Sequence, residues 1–148
     1  MPVREQEFYH GIALLRAIAS CDDAIKIGRR DDVGSGCYAV AGIGIQVKYA
    51  TDRLSPWQFS FTAEHRRAQD ALIDEYGSCG IVLVCHQNCV VVLSQHDIDD
   101  VLGESPAAGT IAVVRKPREM AQVRGPLSTL PYKLRDSDFG RLGAPFAT

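Results

Sequence analysis

The sequence has no long apolar run. Its longest, Ile81 to Cys85 and Val90 to Leu93, are far too short to span a bilayer. The opening residues MPVREQE carry acids and lack an apolar stretch of the kind that drives secretion, so a cytoplasmic protein without membrane attachment is expected. An excess of one charge is also missing: a net charge of -2 excludes nucleic-acid binding by bulk charge alone and leaves only local basic patches. Five cysteines, an odd number at irregular spacing with three inside or beside apolar runs, suit reduced thiols packed as small hydrophobes. No internal repeat and no interdomain linker is found. What remains is a chain of 148 residues with ordinary apolar and charged fractions, long enough to bury one core without metal or disulfide staples.

The most informative stretch is Ile43 to Tyr49, running on through Thr51-Asp52-Arg53-Leu54-Ser55-Pro56-Trp57-Gln58-Phe59. Ile43, Ile45 and Val47 alternate with Gly44, Gln46 and Lys48, which predicts a strand with one apolar face. Gln46 and Lys48 lie two apart and project side by side, an amide and an ammonium able to address one ligand or one phosphate oxygen.

Around this strand the chain reads as follows. Phe8, Ile12, Leu15 and Ile18 or Ala19 recur at helical spacing and predict a helix over about 5–20, with His10 and Arg16 off its apolar stripe. Ala24 to Ile27 and Cys37 to Val40 are short strands on either side of a glycine-rich loop. The glycines of that loop follow neither the Walker nor the dinucleotide spacing, so it reads as a plain loop. Ala41-Gly42 gives a tight reversal. Trp57, Phe59 and Phe61 alternate as a short strand or as aromatic wedges. Thr62 caps a helix that Gly77 ends. Residues 81–85 read as a strand buried on both faces, and 89–93 as its hairpin partner. Ser94 caps a short helix ended by Gly103, and Thr110 to Val114 is a last strand. The fold expected is a single α/β (α+β) domain over 1–124 with a mixed, mostly antiparallel sheet and helices packed on it. Residues 125–148 read as an extended or disordered arm.

Several constellations compete for function. Arg53, Arg66, Arg67, Arg115, Lys116 and Arg118, with Lys48, would form a phosphate-binding surface if they converged, and Trp57 beside them would suit stacking on a base. Cys79, Cys85, His86 and Cys89 invite a zinc reading, but no second pair has ligand spacing. A cysteine nucleophile would need His65, His86 or His96 within reach.

The order helix, strand meander, polar-x-Lys strand, helix, buried strand resembles the core of the PD-(D/E)XK nuclease superfamily over roughly residues 8–85. That resemblance implies a restriction-endonuclease-like fold and a divalent-metal phosphodiesterase. Asp31 or Asp32 would stand for the first acid, Gln46 for the acid of the acid-x-Lys pair and Lys48 for its lysine, with Glu64 available as a substitute ligand for magnesium. Gln46 departs from the pattern, since a neutral amide is a poorer ligand for a hard cation than a carboxylate. The phrases KYATDRLSPWQF and RKPREM also resemble a family of short, uncharacterised bacterial proteins that carries no assigned activity. The expectation is a nucleic-acid-related protein with a nuclease-like core, catalytic or degenerate. The alternatives are a phage- or defence-associated protein-interaction module, or a small enzyme with a cysteine nucleophile.

Overall fold

The computed structural model describes residues 2–146. The chain folds as α1 (Glu5–Ala19), β1 (Ile27–Arg29), β2 (Cys37–Val40), β3 (Ile43–Ala50), β4 (Trp57–Phe61), α2 (Ala63–Tyr76), β5 (Cys79–Cys85), β6 (Cys89–Leu93), α3 (Gln95–Leu102), β7 (Gly109–Val114) and β8 (Gln122–Arg124), an α+β fold. A five-stranded sheet runs β1-β2-β3-β5-β6, with β3 and β5 parallel and the other neighbours antiparallel. A second, antiparallel sheet runs β4-β7-β8. No helix among the described residues is long and apolar enough to cross a membrane.

The alternation along the strands divides the core in two. Ile81 and Leu83 pack with Leu72 of α2 and the aromatics of β4, while Val82 and Val84 pack with Tyr9, Ala13 and Ala17 of α1. β5, apolar at every position, is buried on both sides between β3 and β6, as its sequence predicts. α2 lies so close to β3 that a Cβ on Gly44 would come within 2.8 Å of the Leu72 Cβ. That contact sets the N-terminus of α2 beside Gln46 and Lys48.

In α1 the structure corrects the sequence reading. The buried face is Tyr9, His10, Ala13 and Ala17, whereas Phe8, Leu15 and Ile18 are exposed. The alanines allow a close approach to the sheet, and this outweighs the burial of the larger side chains one residue away. His10 therefore faces inward. The first strand begins at Ile27 rather than running from Ala24, and β8 falls in a stretch whose apolar pattern is too short to signal a strand.

The segment after Gly125 has little regular structure but is packed, contrary to a disordered arm. Leu130 and Leu134 are buried in the core shared with the second sheet and α3, and the segment then crosses to the α1 face of the five-stranded sheet, where Phe139 and Phe146 are buried around a single 3-10 turn at Phe139–Leu142. Arg141 and the Tyr132 hydroxyl both donate to the buried Asp97 carboxylate, and the Asp136 carboxylate accepts the Val90 amide at 2.8 Å. Residues 147 and 148 of the expected arm lie outside the described residues.

Candidate functional site

β2 begins at Cys37, opposite Gln46, while β3 runs on past this point to Ala50. The two strands part at this point, and the last bond between them is the Val47 amide donating to the Gly36 carbonyl at 2.8 Å. Amides alternate in direction along a strand, so the Tyr49 N–H turns to the same side as that of Val47, where no neighbouring strand follows. Gly36 is required at the fork. Its φ is +79°, and a Cβ would sit 2.6 Å from the Val47 carbonyl oxygen.

A cleft of about 290 Å³ opens at this fork, lined by Gln6, His10, Ser35, Gln46, Lys48 and His65, with the backbone of Val47 and Tyr49 between them. Lys48 and His65 approach from the α2 side of the sheet and His10 from the α1 side.

Lys48 donates from Nζ to the Ser60 carbonyl, lies 3.2 Å from His65 Nδ1, and sits 4.8 Å from the centre of the Phe61 ring. Burial lowers its pKa from 10.5 to about 8. His65 completes the cap of α2: the Thr62 hydroxyl accepts the His65 amide at 3.1 Å, and His65 Nδ1 accepts the Thr62 amide at 3.0 Å. An imidazole whose Nδ1 accepts a backbone N–H carries its proton on Nε2. Burial, and then the charge of Lys48, hold the His65 pKa below its usual value, which keeps the ring neutral.

Gln46 is 2% exposed and fully engaged. Its Nε2 donates to the His65 carbonyl at 3.0 Å, and its Oε1 accepts from Gln69 Nε2 at 2.7 Å. The chain continues inward. Gln69 Oε1 accepts from Arg66 Nε at 3.0 Å, and Arg66, 1% exposed, also donates to Asp99 at 2.6 Å, to the Ala107 carbonyl at 2.7 Å and to the Gly103 carbonyl at 3.0 Å. Gln46 is thus the outer end of a buried polar network that positions α2, not a free ligand.

His10, 6% exposed, hydrogen-bonds through Nδ1 to the Tyr38 hydroxyl at 2.9 Å. Its ring also packs edge-on against Tyr49. Its Nε2 has no hydrogen-bond partner among the described residues and is not sealed off, and His10 lines both this cleft and an adjoining one of about 610 Å³ with Arg29, Asp31 and Tyr38. Burial lowers the His10 pKa, against a smaller opposing effect of Asp31.

The expected metal ligands do not gather here. Asp31 accepts from Arg29 at 2.6 Å, Asp32 is paired with Arg30 at 2.9 Å, and Glu64 is exposed outside the cleft. At the start of β2 the cleft is lined by Ser35 instead of an acid. Among the described residues, no three His, Cys, Asp or Glu side chains are grouped to hold a metal ion, at the fork or at Cys79, Cys85 and Cys89. With Gln46 consumed internally and both aspartates paired to arginines, the residues present do not fit a magnesium site.

The basic residues separate into groups. Arg66 is an interior support, and Trp57, 1% exposed with its indole N–H donating to the Asp52 carbonyl at 2.7 Å, is core and offers no face for a base. Arg67 is exposed on α2 and lines neither the cleft at the fork nor the groove of Arg115 and Lys116. Arg115 and Lys116 line a groove of about 390 Å³ with Leu54, Ser55, Asn88 and the edge of the otherwise buried Trp57, where the Arg115 amide donates to Ser55 Oγ at 3.0 Å. Arg53 and Arg118 occupy the two loops that this bond joins. Arg53, Lys116 and Arg118 form no ion pair among the described residues, and Arg115 bonds Asn88 and the Glu119 carbonyl instead of a carboxylate.

The cysteine-nucleophile reading finds no partner. No cysteine hydrogen-bonds a histidine among the described residues, and burial pushes the Cys37 thiol up to about 11 and that of Cys79 higher still. Of the residues lining the cleft, the sequence singled out Gln46 and Lys48 for the site. It missed His10, whose one signal was the small-residue spacing of Ala13 and Ala17 on the same face. It named His65 only as a possible partner of a cysteine. Compared with protein-family models, curated proteins and solved structures, the chain matches none.

Proposed function

We propose that the protein binds nucleic acid through phosphate contacts on a nuclease-like core that works without a divalent metal. The observation that carries this is Lys48: its ammonium stands at the fork of β2 and β3, in an uncovered cleft, while Gln46 two residues before it is withdrawn into the core. The order of α1, the β1–β3 meander, α2 and parallel β5 supports the nuclease-like reading. The Lys48 ammonium, His65 Nε2–H and Tyr49 amide are donors suited to one phosphate. The groove of Arg115 and Lys116, with Arg53 and Arg118 around it, offers further sequence-independent contacts to the backbone.

The test is fluorescence anisotropy with single-stranded, duplex and branched DNA and RNA at several salt concentrations, with Lys48→Ala alongside. Salt-sensitive binding that weakens in the variant, equally strong in EDTA and in magnesium, is the expected result. Cleavage by the wild type that requires magnesium or manganese overturns the metal-free part, and no binding to any of these overturns the whole. A second reading, a protein-interaction module, draws on the exposed row Phe8, Leu15 and Ile18 along the outer face of α1.

A further inference from the structure

The fork holds more than an anion-binding lysine. We propose that this cleft cleaves RNA without metal, using the ribose 2′-hydroxyl as nucleophile, with His10 as general base and Lys48 as general acid. The inference rests on the nucleic-acid reading above and adds an activity to it.

The roles follow from which protons are free. His65 is excluded as the acid or base, because its Nδ1 is occupied by the Thr62 amide and gaining a proton there would break the cap of α2. Its Nε2–H is left as a fixed donor to a non-bridging phosphate oxygen. His10 can hold its proton on Nδ1 toward the Tyr38 hydroxyl, which leaves the Nε2 lone pair unpartnered on a residue that lines the cleft. Its lowered pKa keeps that lone pair unprotonated at neutral pH, with Asp31 the acid whose charge acts on it. Lys48 spends two of its N–H bonds on Ser60 and His65 and keeps the third for the cleft. An ammonium with a pKa of about 8 is mostly charged at neutral pH and yields a proton far more readily than an ordinary lysine.

The step balances without a co-reactant. His10 Nε2 takes the proton of the 2′-hydroxyl, the 2′-oxygen bonds to phosphorus, and the bond from phosphorus to the 5′-oxygen breaks with its electron pair. Lys48 gives that oxygen a proton. The products are a 2′,3′-cyclic phosphate and a free 5′-hydroxyl, and His10 returns its proton to Lys48 through solvent. A nucleophile already attached to the substrate explains how a site without a metal-activated water works, since the intramolecular attack carries a high effective concentration. It also assigns the substrate class, because DNA has no 2′-hydroxyl.

The experiment uses the full chain in EDTA with a labelled RNA and with the same strand in which every ribose is replaced by 2′-deoxyribose. Wild type, Lys48→Ala and His10→Gln are purified in parallel. The glutamine retains a hydrogen-bonding group for Tyr38 but does not titrate, and circular dichroism checks that it folds. RNA cut to 2′,3′-cyclic phosphate ends, the deoxy strand bound but uncut, and a loss of about 100-fold or more in His10→Gln with binding unchanged are expected. RNA that is bound but uncut in EDTA between pH 6 and 9 overturns this inference and leaves the binding function standing. Equal cutting by His10→Gln, or cutting of the deoxy strand, also overturns it. Failure to bind any strand removes the nucleic-acid reading as well.

Discussion

His65 Nδ1 and Lys48 Nζ lie 3.2 Å apart, and the same Nδ1 accepts the Thr62 amide at 3.0 Å. One nitrogen thus ties the start of α2 to the lysine of β3. The helix cap and the cleft are a single construction, and the charge of Lys48 acts on the His65 ring.

Lys48 is held at a cost to stability. Its folded pKa of about 8 lies below the unfolded 10.5, so the penalty on its charge is complete below about pH 8 and fades as the pH rises toward 10.5, where the side chain is neutral in both states. Lys48→Met is therefore expected to raise stability at pH 7 by roughly 1–3 kcal/mol, with the advantage shrinking between pH 8 and 10.5. Urea unfolding at pH 7 and pH 10 measures this, and a variant less stable than wild type at pH 7 contradicts it.

Gln46→Glu should not restore metal dependence. The new carboxylate would face the His65 carbonyl, which now accepts from Gln46 Nε2, and two acceptors would be left opposed in the interior. A loss of about 1–3 kcal/mol is expected, with no cleavage that depends on added magnesium. Tight magnesium binding by the variant in calorimetry would sink the claim.

Arg66 and Lys116 should separate cleanly. Arg66→Ala leaves Asp99, Gln69 and two carbonyls without their donor and is expected to cost about 3–5 kcal/mol. Lys116→Ala should leave the melting temperature nearly unchanged, yet reduce the slope of log binding constant against log salt by about one. Thermal melts and anisotropy titrations on both proteins decide the matter; unchanged stability in Arg66→Ala would show that the buried network is dispensable.

Asp97 ties down the C-terminal segment. Burial works against its charge, but bonds from Tyr132, the Ser94 amide and Arg141 outweigh that and hold its pKa below 3.8. Its contribution is present at neutral pH and is lost as the pH falls through that depressed value. Asp97→Ala should cost about 3 kcal/mol and speed amide exchange across residues 130–142 ahead of the rest of the chain. Uniform exchange behaviour in the variant would contradict this.

The sequence by itself determined the elements with a strong local cause. The alternation of Ile43, Ile45 and Val47 set β3, the Thr62 and Gly77 signals bounded α2, and the unbroken apolar run at 81–85 placed β5 in the middle of a sheet. It also marked Lys48, because period two puts it beside Gln46 whatever surrounds them. What only the tertiary structure decided was where partners come from across the chain. α1 turned on the closeness that Ala13 and Ala17 allow and brought His10 inward, which a ranking of side chains by hydrophobicity reads backwards. Gln46 became a network residue, since Gln69 and the His65 carbonyl reached it first, and Arg66 and Trp57 were drawn from the candidate surface into the interior. The segment after Gly125, without periodicity, is fixed by bonds from Tyr132 and Arg141 to Asp97, more than thirty positions earlier in the chain. Periodicity reports which side of an element is apolar; which charged group finds a distant partner depends on three-dimensional distance, and that is settled only when the layers pack.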